Sequence, residues 1–173
     1  MTSRFFNKES LSGKENELFD LLQILTTKVG AGVHTASSTV LLNIVAGGKV
    51  LNNVPHSSVN PAWRETYLLL QGIDMWPANA GSVEIQKVKE DLTKRKLGAM
   101  KNLAPGTGTY LNEADPYDPD WKQDWFGDKY DQHLSIKKKY EPEDVFWCWR
   151  CVGNKGWEEV TCGVLFGPLC QAS

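Results

Sequence analysis

The sequence has little net charge, no long hydrophobic run and no site for N-linked glycosylation. Its 19 Lys and Arg nearly balance 21 Asp and Glu, and the formal net charge is −2. This balance predicts no general attraction to nucleic acid or to an anionic membrane. No apolar run reaches the roughly 18 residues that cross a bilayer. The Asn-x-Ser/Thr pattern does not occur, and residues Met1 to Glu17 lack the apolar core of a secretory signal.

What the sequence does contain is typical of one folded domain. The 173 residues are 41% hydrophobic and 23% charged, which provides enough apolar material for a buried core. Seven of them are Trp, a high number for this length. Helical and extended patterns follow one another without an internal repeat or a low-complexity linker. We therefore predict a single α+β domain over residues 1–173.

Hydrophobic periodicity predicts the elements of this domain. The predicted helices span 15–28, 82–103, 120–126 and 130–140, and the predicted strands span 39–46, 65–73 and 109–112. The first two strands are expected to form an antiparallel pair. Ser12 is predicted to cap the first helix, because Glu15 follows it at capping-box spacing. The basic run Lys94, Arg95 and Lys96 is predicted to lie on a solvated helix face.

The four cysteines are confined to the last 26 residues of the chain. They are Cys148, Cys151, Cys162 and Cys170. We predict two disulfides that hold together a tail with little core of its own. A zinc site is the alternative, although the second pair of cysteines is spaced too widely for a usual zinc ribbon.

Other candidate residues for chemistry are few. None of the histidines His34, His56 and His133 has a metal-binding spacing, and only His56 is expected near a pocket. The aspartates Asp115, Asp118, Asp120 and Asp124 lack the Gly and terminal Glu of a calcium-binding loop. A solvated acidic turn that precedes a helix is predicted instead, with no metal ligand. No hydrolase elbow, Walker loop or dinucleotide fingerprint is present.

Three groups of segments together resemble one family. The first is Leu42 to Lys49 with Val59 to Arg64, the second Tyr110 to Pro116, and the third Trp125 to Tyr130 with Leu134 to Trp147. Their order and spacing across residues 3–157 resemble the C-terminal third of berberine bridge enzyme-like, FAD-linked oxidases, especially the fungal branch. The tail with Cys148, Cys151, Cys170 and Gly156-Trp157 also resembles fungal members.

The resemblance implies a truncated substrate domain, in which an antiparallel sheet has flanking helices. Residues 1–104 would correspond to the late substrate domain, and residues 105–173 to the segment that returns towards the flavin. The FAD-binding domain has no counterpart in the match, so no cofactor is expected. FAD is the alternative if the missing domain is supplied. Some plant members carry a catalytic Glu whose position falls on Asn52, and an amide cannot abstract a proton as a carboxylate does.

The expected function is a flavin-free enzyme of fungal natural-product biosynthesis. It would guide the cyclisation, for example by hetero-Diels–Alder addition, of a polyketide- or terpenoid-like intermediate. The alternatives are a C-terminal fragment of a FAD-linked oxidase and a non-catalytic small-molecule binder. The predicted catalytic residues are Tyr110, Asn112 and His56, and the predicted substrate-binding residues are Asn43, Asn52, Trp63, Tyr67 and Gln71.

The expected partner is a hydrophobic small molecule. A homodimer is also expected, because a sheet that has lost strands exposes an edge that proteins usually cover. Neither nucleic acid nor a membrane span is expected. Localisation stays open, since disulfides favour the secretory pathway and Met1 as the native start favours the cytoplasm.

Overall fold

The computed structural model describes residues 1–29, 37–44, 46–52, 57–159 and 169–171. The chain divides into two compact units, residues Met1–Asp128 and Lys129–Ser173. The first unit is built on a three-stranded antiparallel sheet with helices beside it, as the α+β prediction requires. The predicted boundary at residues 104 and 105 stays a prediction.

The sheet of the first unit has β3 at its centre. Its strands are β1 (Thr2–Phe6), β2 (Ser37–Asn43) and β3 (Leu68–Met75), in the order β1-β3-β2. The helices are α1 (Lys8–Leu11), α2 (Glu15–Thr26), α3 (Ser82–Glu90), a π-helical segment (Asp91–Leu97), α4 (Gly98–Leu103) and α5 (Trp121–Phe126). Short 3-10 helices span Gly48–Leu51, Pro61–Arg64 and Leu111–Glu113, and a fourth, Gly127–Lys129, crosses the boundary between the units.

The core of the first unit lies between one face of the sheet and the helices. Phe6 and Leu70 from the sheet pack with Leu25 of α2 and Met100 of α4, and all four are fully buried. Full burial of each such side chain stabilises the fold by about 1.5–3 kcal/mol. Because side chains alternate along a strand, the opposite face of the sheet is left for other contacts.

The C-terminal end of α2 is held by the π-helical segment. Arg95 donates hydrogen bonds to the carbonyls of Ile24 and Thr27, and Lys96 donates one to the carbonyl of Leu25 at 2.8 Å. Cations at this position satisfy the orphan carbonyls and oppose the negative end of the helix dipole. Lys96 also pairs with Asp74 of β3 at 2.7 Å, and both side chains are fully buried. The predicted solvated basic face is therefore wrong for Lys96.

The second unit contains α6 (Tyr130–Tyr140), a 3-10 helix (Asn154–Gly156) and an antiparallel pair of strands, β4 (Trp157–Glu159) and β5 (Leu169–Gln171). A disulfide joins Cys148 and Cys151. Cys162 lies outside the described residues, and only the backbone of Cys170 is described, so the second predicted disulfide stays a prediction.

Most of the predicted elements are confirmed. The antiparallel pair β2 and β3, the helices near 15–28, 120–126 and 130–140, and the helical run 82–103 are all present, the last with a π-helical centre. The strand predicted at 109–112 is wrong, because this segment leads into a 3-10 helix. The predicted cap is also wrong, since Ser12 ends α1 and Lys14 precedes α2. Strand β1 was not predicted.

Among the described residues, no helix is long and apolar enough to cross a membrane.

Candidate functional site

The candidate site lies on the sheet face that points away from the helical core. Residues paired directly across strands share a face, and Leu69 is paired with Phe5 of β1 and with Asn43 of β2. Gln71, two residues further along β3, lies on the same face. Its side chain is only 3% exposed. An amide carries two N–H donors and one acceptor oxygen, which are groups that bind a polar part of a ligand.

Three aromatic rings meet beside this face. Phe5 and Trp63 have ring centroids 4.5 Å apart, and Trp63 and Tyr110 have theirs 5.6 Å apart in an edge-on arrangement. We call Phe5, Trp63 and Tyr110 the aromatic cluster. It joins three segments that are distant in sequence, and edge-to-face pairs of this kind add about 0.5–1.5 kcal/mol beyond their area burial.

Asn60 sets the position of Trp63. It caps the 3-10 helix Pro61–Arg64, and its Oδ1 accepts a hydrogen bond from the Ala62 amide at 3.0 Å. Its Nδ2 donates to the carbonyl of Asp124 at 2.9 Å. Asn at the cap and Pro in the first turn are the residues that favour a helix start. The local sequence therefore forms the turn, while the bond to α5 fixes its place.

The segment that carries Tyr110 and Asn112 is fixed to β1 and α5. The amide of Thr109 donates to the carbonyl of Asp124 at 2.8 Å, and the amide of Phe5 donates to the carbonyl of Gly108 at 2.8 Å. The hydroxyl of Ser3 donates to the carbonyl of Glu113 at 2.7 Å. This segment therefore covers the outer edge of β1, which explains why every residue of that strand is buried.

The Tyr110 hydroxyl is itself an acceptor. The Nδ2 group of Asn112 donates a short hydrogen bond to the Tyr110 oxygen. The phenolic hydrogen is therefore free to point to another acceptor, and a hydroxyl that already accepts a bond is a better donor. Tyr110 is half-buried and Asn112 is exposed, so a ligand can reach both.

A cluster of buried charges supports α5 below the site. Lys101 of α4 contacts carboxylate oxygens of Asp118, Asp120 and Asp124 at 2.7, 2.9 and 2.8 Å, and Arg4 of β1 contacts Asp124 at 2.8 Å. Asp115, Asp118 and Asp124 are 4%, 2% and 5% exposed, so the predicted solvated acidic turn is wrong for these three residues. No group of three or more possible metal ligands occurs in the described part of the chain.

The charge cluster shifts the pKa values of its members in opposite directions. Burial, followed by the hydrogen bond with Asp124, raises the pKa of Asp118 to about 6. The pKa of Asp124 is lowered: burial opposes this, but the hydrogen bond from Asp118 and the charges of Arg4 and Lys101 outweigh it. The pKa of Lys101 is raised, because its three carboxylate partners outweigh its burial. Asp118 therefore keeps its proton to a higher pH than Asp124 does.

Of the other predicted site residues, two are exposed and one lies outside the described residues. Tyr67 is 47% exposed just before β3, and Asn52 is exposed at the end of the 3-10 helix Gly48–Leu51. That helix is tied to the turn of Trp63 by Arg64, which donates to the Val50 carbonyl at 2.8 Å. His56 lies outside the described residues. The roles predicted for all these residues stay predictions.

Sequence reasoning missed Ser3, Phe5 and Asn60. The signal for Ser3 and Phe5 was present, since Thr2-Ser3-Arg4-Phe5-Phe6 contains the β-branched and aromatic residues of a strand. The signal for Asn60 was its position before Pro61, which is typical of a helix cap.

The family resemblance implies that FAD is bound. The lining of one cavity shows whether the residues there fit the pyrophosphate of this cofactor. This cavity of about 280 Å³ is next to the turn of Trp63. Its lining consists of Asn60, Pro61, Ala62, Glu65, Gly106, Thr107, Gln123, Gly127 and Asp128. The lining has two carboxylates and no Lys or Arg, whereas a diphosphate is bound by cations or by helix N-termini. The cavity therefore does not fit the pyrophosphate of FAD.

Comparison with known proteins gives consistent matches. Residues 109–150 match the family described as "Berberine and berberine like". The FAD-linked oxidoreductase patO of Penicillium expansum is 32% identical over 98% of this chain and 28% of its own length. The bifunctional decalin synthase calF of Penicillium decumbens is 39% identical over 60% of this chain and 18% of its own length.

The solved structures agree with the sequence matches. The VAO-type flavoprotein MtVAO713 from Myceliophthora thermophila C1 superposes with a TM-score of 0.86 and 32% identity, over 99% of this chain and 28% of that protein. The chain thus spans less than a third of the length of the relatives that it matches. The family segment that carries Tyr110 and Asn112 lies within the matched residues. Residues 109–150 belong to the berberine and berberine-like family, and over nearly its whole length the chain is related to a part of fungal FAD-linked oxidoreductases.

Proposed function

We propose that this chain binds a hydrophobic polyketide- or terpenoid-like intermediate and guides its cyclisation without a flavin. The observation that carries the proposal is the pair Tyr110 and Asn112: Tyr110 belongs to the aromatic cluster, and Asn112 donates a hydrogen bond to its hydroxyl. An apolar surface with a few convergent polar groups is the usual character of a small-molecule site. The name of the relative calF adds support, because a decalin is a bicyclic carbon skeleton.

The chemistry needs orientation and one or two hydrogen bonds. In a Diels–Alder addition, a diene and an alkene form two carbon–carbon bonds in one step, and no electron or proton leaves the substrate. The aromatic cluster would hold the folded chain of the substrate with the two reacting parts in contact. The Tyr110 hydroxyl would donate to a carbonyl that is conjugated with the alkene. This bond strengthens as partial negative charge develops on the carbonyl oxygen.

The proposal is tested with a substrate that carries both reacting groups. A linear polyene that carries a conjugated diene and a carbonyl-activated alkene is incubated with the protein, and product formation is compared with the rate in buffer. The rate should exceed that in buffer, and Tyr110→Phe should lower the enhancement by about 10–100-fold, since one donor to a developing oxyanion contributes on that scale. Asn112→Ala should cost less, because the Tyr110 hydroxyl can still donate.

A matched control is Tyr140→Phe, which removes the same hydroxyl from a side chain that is 75% exposed on α6. It should leave the rate unchanged. A protein that binds the polyene but gives the rate of buffer would contradict catalysis and favour the non-catalytic binder.

The FAD-linked oxidoreductase is the second candidate, and it rests on the family and on the name of the relative patO. The absorbance of the purified protein between the near-ultraviolet and the blue separates the two candidates. We expect no flavin absorbance and no change in the cyclisation rate when FAD is added. A yellow protein that consumes oxygen with the substrate would contradict the flavin-free proposal.

A further inference from the structure

The second unit contains an exposed Cys-x-x-Cys disulfide that the proposed function does not use. Cys148 and Cys151 close a four-residue turn with their Cα atoms 5.3 Å apart, and the Cys151 amide donates to the Cys148 carbonyl at 3.1 Å. Cys148 is exposed and Cys151 is half-buried. A thiol from solution can therefore reach the Cys148 sulfur, which is the first requirement for exchange.

The disulfide contributes little to the shape of this turn. Trp147 donates its indole N–H to the Asn154 carbonyl at 2.9 Å, and the Asn154 amide donates to the Cys151 carbonyl at 3.2 Å. The Gly153 amide donates to the hydroxyl of Tyr130, a buried residue of α6, at 3.3 Å. These bonds close the turn from both sides without a sulfur atom. A disulfide stabilises mainly by closing long loops, and this loop is among the shortest possible.

A cation stands between the two cysteines in the sequence. The guanidinium of Arg150 lies over the ring of Trp149, 5.3 Å from its centroid, and Arg150 has a left-handed backbone with φ of 60°. A positive charge next to a thiol favours the thiolate, which is the reactive form in exchange. The turn thus combines an accessible sulfur, a hydrogen-bonded backbone and a cation between the two cysteines in the sequence.

We propose that Cys148 and Cys151 form a reversible redox couple that exchanges with small thiols of the glutathione type. A thiolate from solution attacks the Cys148 sulfur, the bond between the two cysteines breaks, and Cys151 leaves as a thiolate that takes up a proton. A second thiol attacks the mixed disulfide, which frees Cys148 and releases the oxidised small-molecule disulfide. Two external thiols lose two electrons, and the protein disulfide gains them.

The test uses the full chain with Cys162→Ser and Cys170→Ser, so that only the pair can exchange. The protein is equilibrated in buffers of graded ratios of reduced to oxidised glutathione, quenched with acid, alkylated and mapped by mass spectrometry. Cys148 and Cys151 should change from oxidised to reduced together within the range of ratios found in cells, with some Cys148 as the glutathione adduct. A pair that stays oxidised at every ratio until denaturant is added would overturn the proposal.

Two further measurements distinguish a redox couple from a disulfide that only stabilises the fold. The tryptophan fluorescence and near-ultraviolet circular dichroism should be nearly the same in the oxidised and reduced forms, because the hydrogen bonds of the turn remain. Loss of these signals on reduction would show that the disulfide holds the fold and would overturn the proposal.

Arg150→Gln tests the role of the cation. We expect this change to slow the alkylation of reduced Cys148 at neutral pH several-fold, with Arg150→Lys close to the unchanged protein. Equal alkylation rates in all three proteins would contradict the stabilisation of the Cys148 thiolate by Arg150.

Discussion

Single residues decide how closely the segments around the candidate site can approach. At Gly108 a Cβ atom would lie 2.7 Å from the Asn60 Nδ2 group and 2.7 Å from the carbonyl oxygen of Asp124. Those two atoms form the hydrogen bond that places the turn of Trp63 on α5. Glycine is required here because of space, since there is no room for a methyl group.

We therefore expect Gly108→Ala to destabilise the protein by about 1–3 kcal/mol, as other overpacked sites do. Denaturant unfolding followed by tryptophan fluorescence measures the change. Gly98→Ala is the matched control, because nothing lies within 4 Å of the added Cβ in that helical position. It should be neutral or stabilising by up to about 1 kcal/mol. Equal effects at the two glycines would contradict the close approach at Gly108.

Asp118 is a carboxyl whose protonation depends on the fold. Its pKa is raised from 3.8 to about 6 by burial and by the hydrogen bond with Asp124. A carboxyl with a raised pKa in the folded state holds its proton more tightly when folded than when unfolded. Its contribution to stability is therefore largest below pH 3.8 and is lost as the pH rises through about 6. The pKa of Asp124 is lowered, so its effect has the opposite sign. Its contribution to stability is present above the usual pKa of an aspartate and is lost only as the pH falls below that value.

Asp118→Asn should remove this dependence on pH. The amide keeps an oxygen for Lys101 and an N–H for Asp124, and it does not titrate. Between pH 4.5 and 7.5 the free energy of unfolding of the unchanged protein should fall relative to that of the variant. After solvent screening, the relative change is on the order of 1 kcal/mol. Denaturant unfolding of both proteins at the two pH values measures it. Parallel pH profiles would show that Asp118 has an ordinary pKa.

At the scale of elements, the π-helical segment joins α2 to the sheet. Lys96 contacts the end of α2 through the Leu25 carbonyl and the central strand β3 through Asp74. A buried ion pair adds little net stability compared with an apolar pair, but the loss of one partner leaves a buried charge alone. The segment therefore depends on this pair for its position against β3.

Lys96→Met should destabilise the protein by about 3–5 kcal/mol, because Asp74 is left buried without its cation. Lys94→Met is the matched control in the same segment. Lys94 is paired with Glu90 at the surface with 76% and 48% of the side chains exposed, and its loss should change the free energy of unfolding by less than about 0.5 kcal/mol. The double variant Lys96→Met with Asp74→Leu should recover part of the loss. A double variant less stable than Lys96→Met would contradict the buried-charge explanation.

At the scale of the whole molecule, the sheet has one edge that the described residues leave open. Strand β2 is paired only with β3, and its residues Leu41 and Leu42 are 43% and 53% exposed. Ile44, directly after the strand, is 85% exposed. An apolar strand edge of this kind is available for pairing with another chain.

We propose that a second copy of the chain covers this edge, which would form the homodimer expected from the sequence. Light scattering should give twice the mass of the chain, and Leu42→Lys should shift the mass towards that of the monomer. Val83→Lys changes another exposed apolar residue, 70% exposed on α3, and should leave the mass unchanged. A monomer at high concentration would contradict the dimer.

Much of the fold could be predicted from the sequence, and the reason is local. The spacing of leucines in α2 and of apolar residues in 82–103 is a property of each segment alone, so these helices are where periodicity predicts them. Strand β1 was missed because its five residues are buried on both faces and show no alternation. The segment of Tyr110 resembled a strand locally, but it lies along the edge of β1 and continues as a 3-10 helix.

The sequence by itself determined the family and the residue types of the candidate site. The motif around Tyr110 and Asn112 is contiguous, and a contiguous motif can be recognised without a fold. Only the tertiary structure decided that Lys96, Asp118 and Asp124 are buried, and that Phe5, Trp63 and Tyr110 meet. The physical reason is that a charge can be buried only where a distant segment supplies its partner. No pattern within the segment itself records that partner.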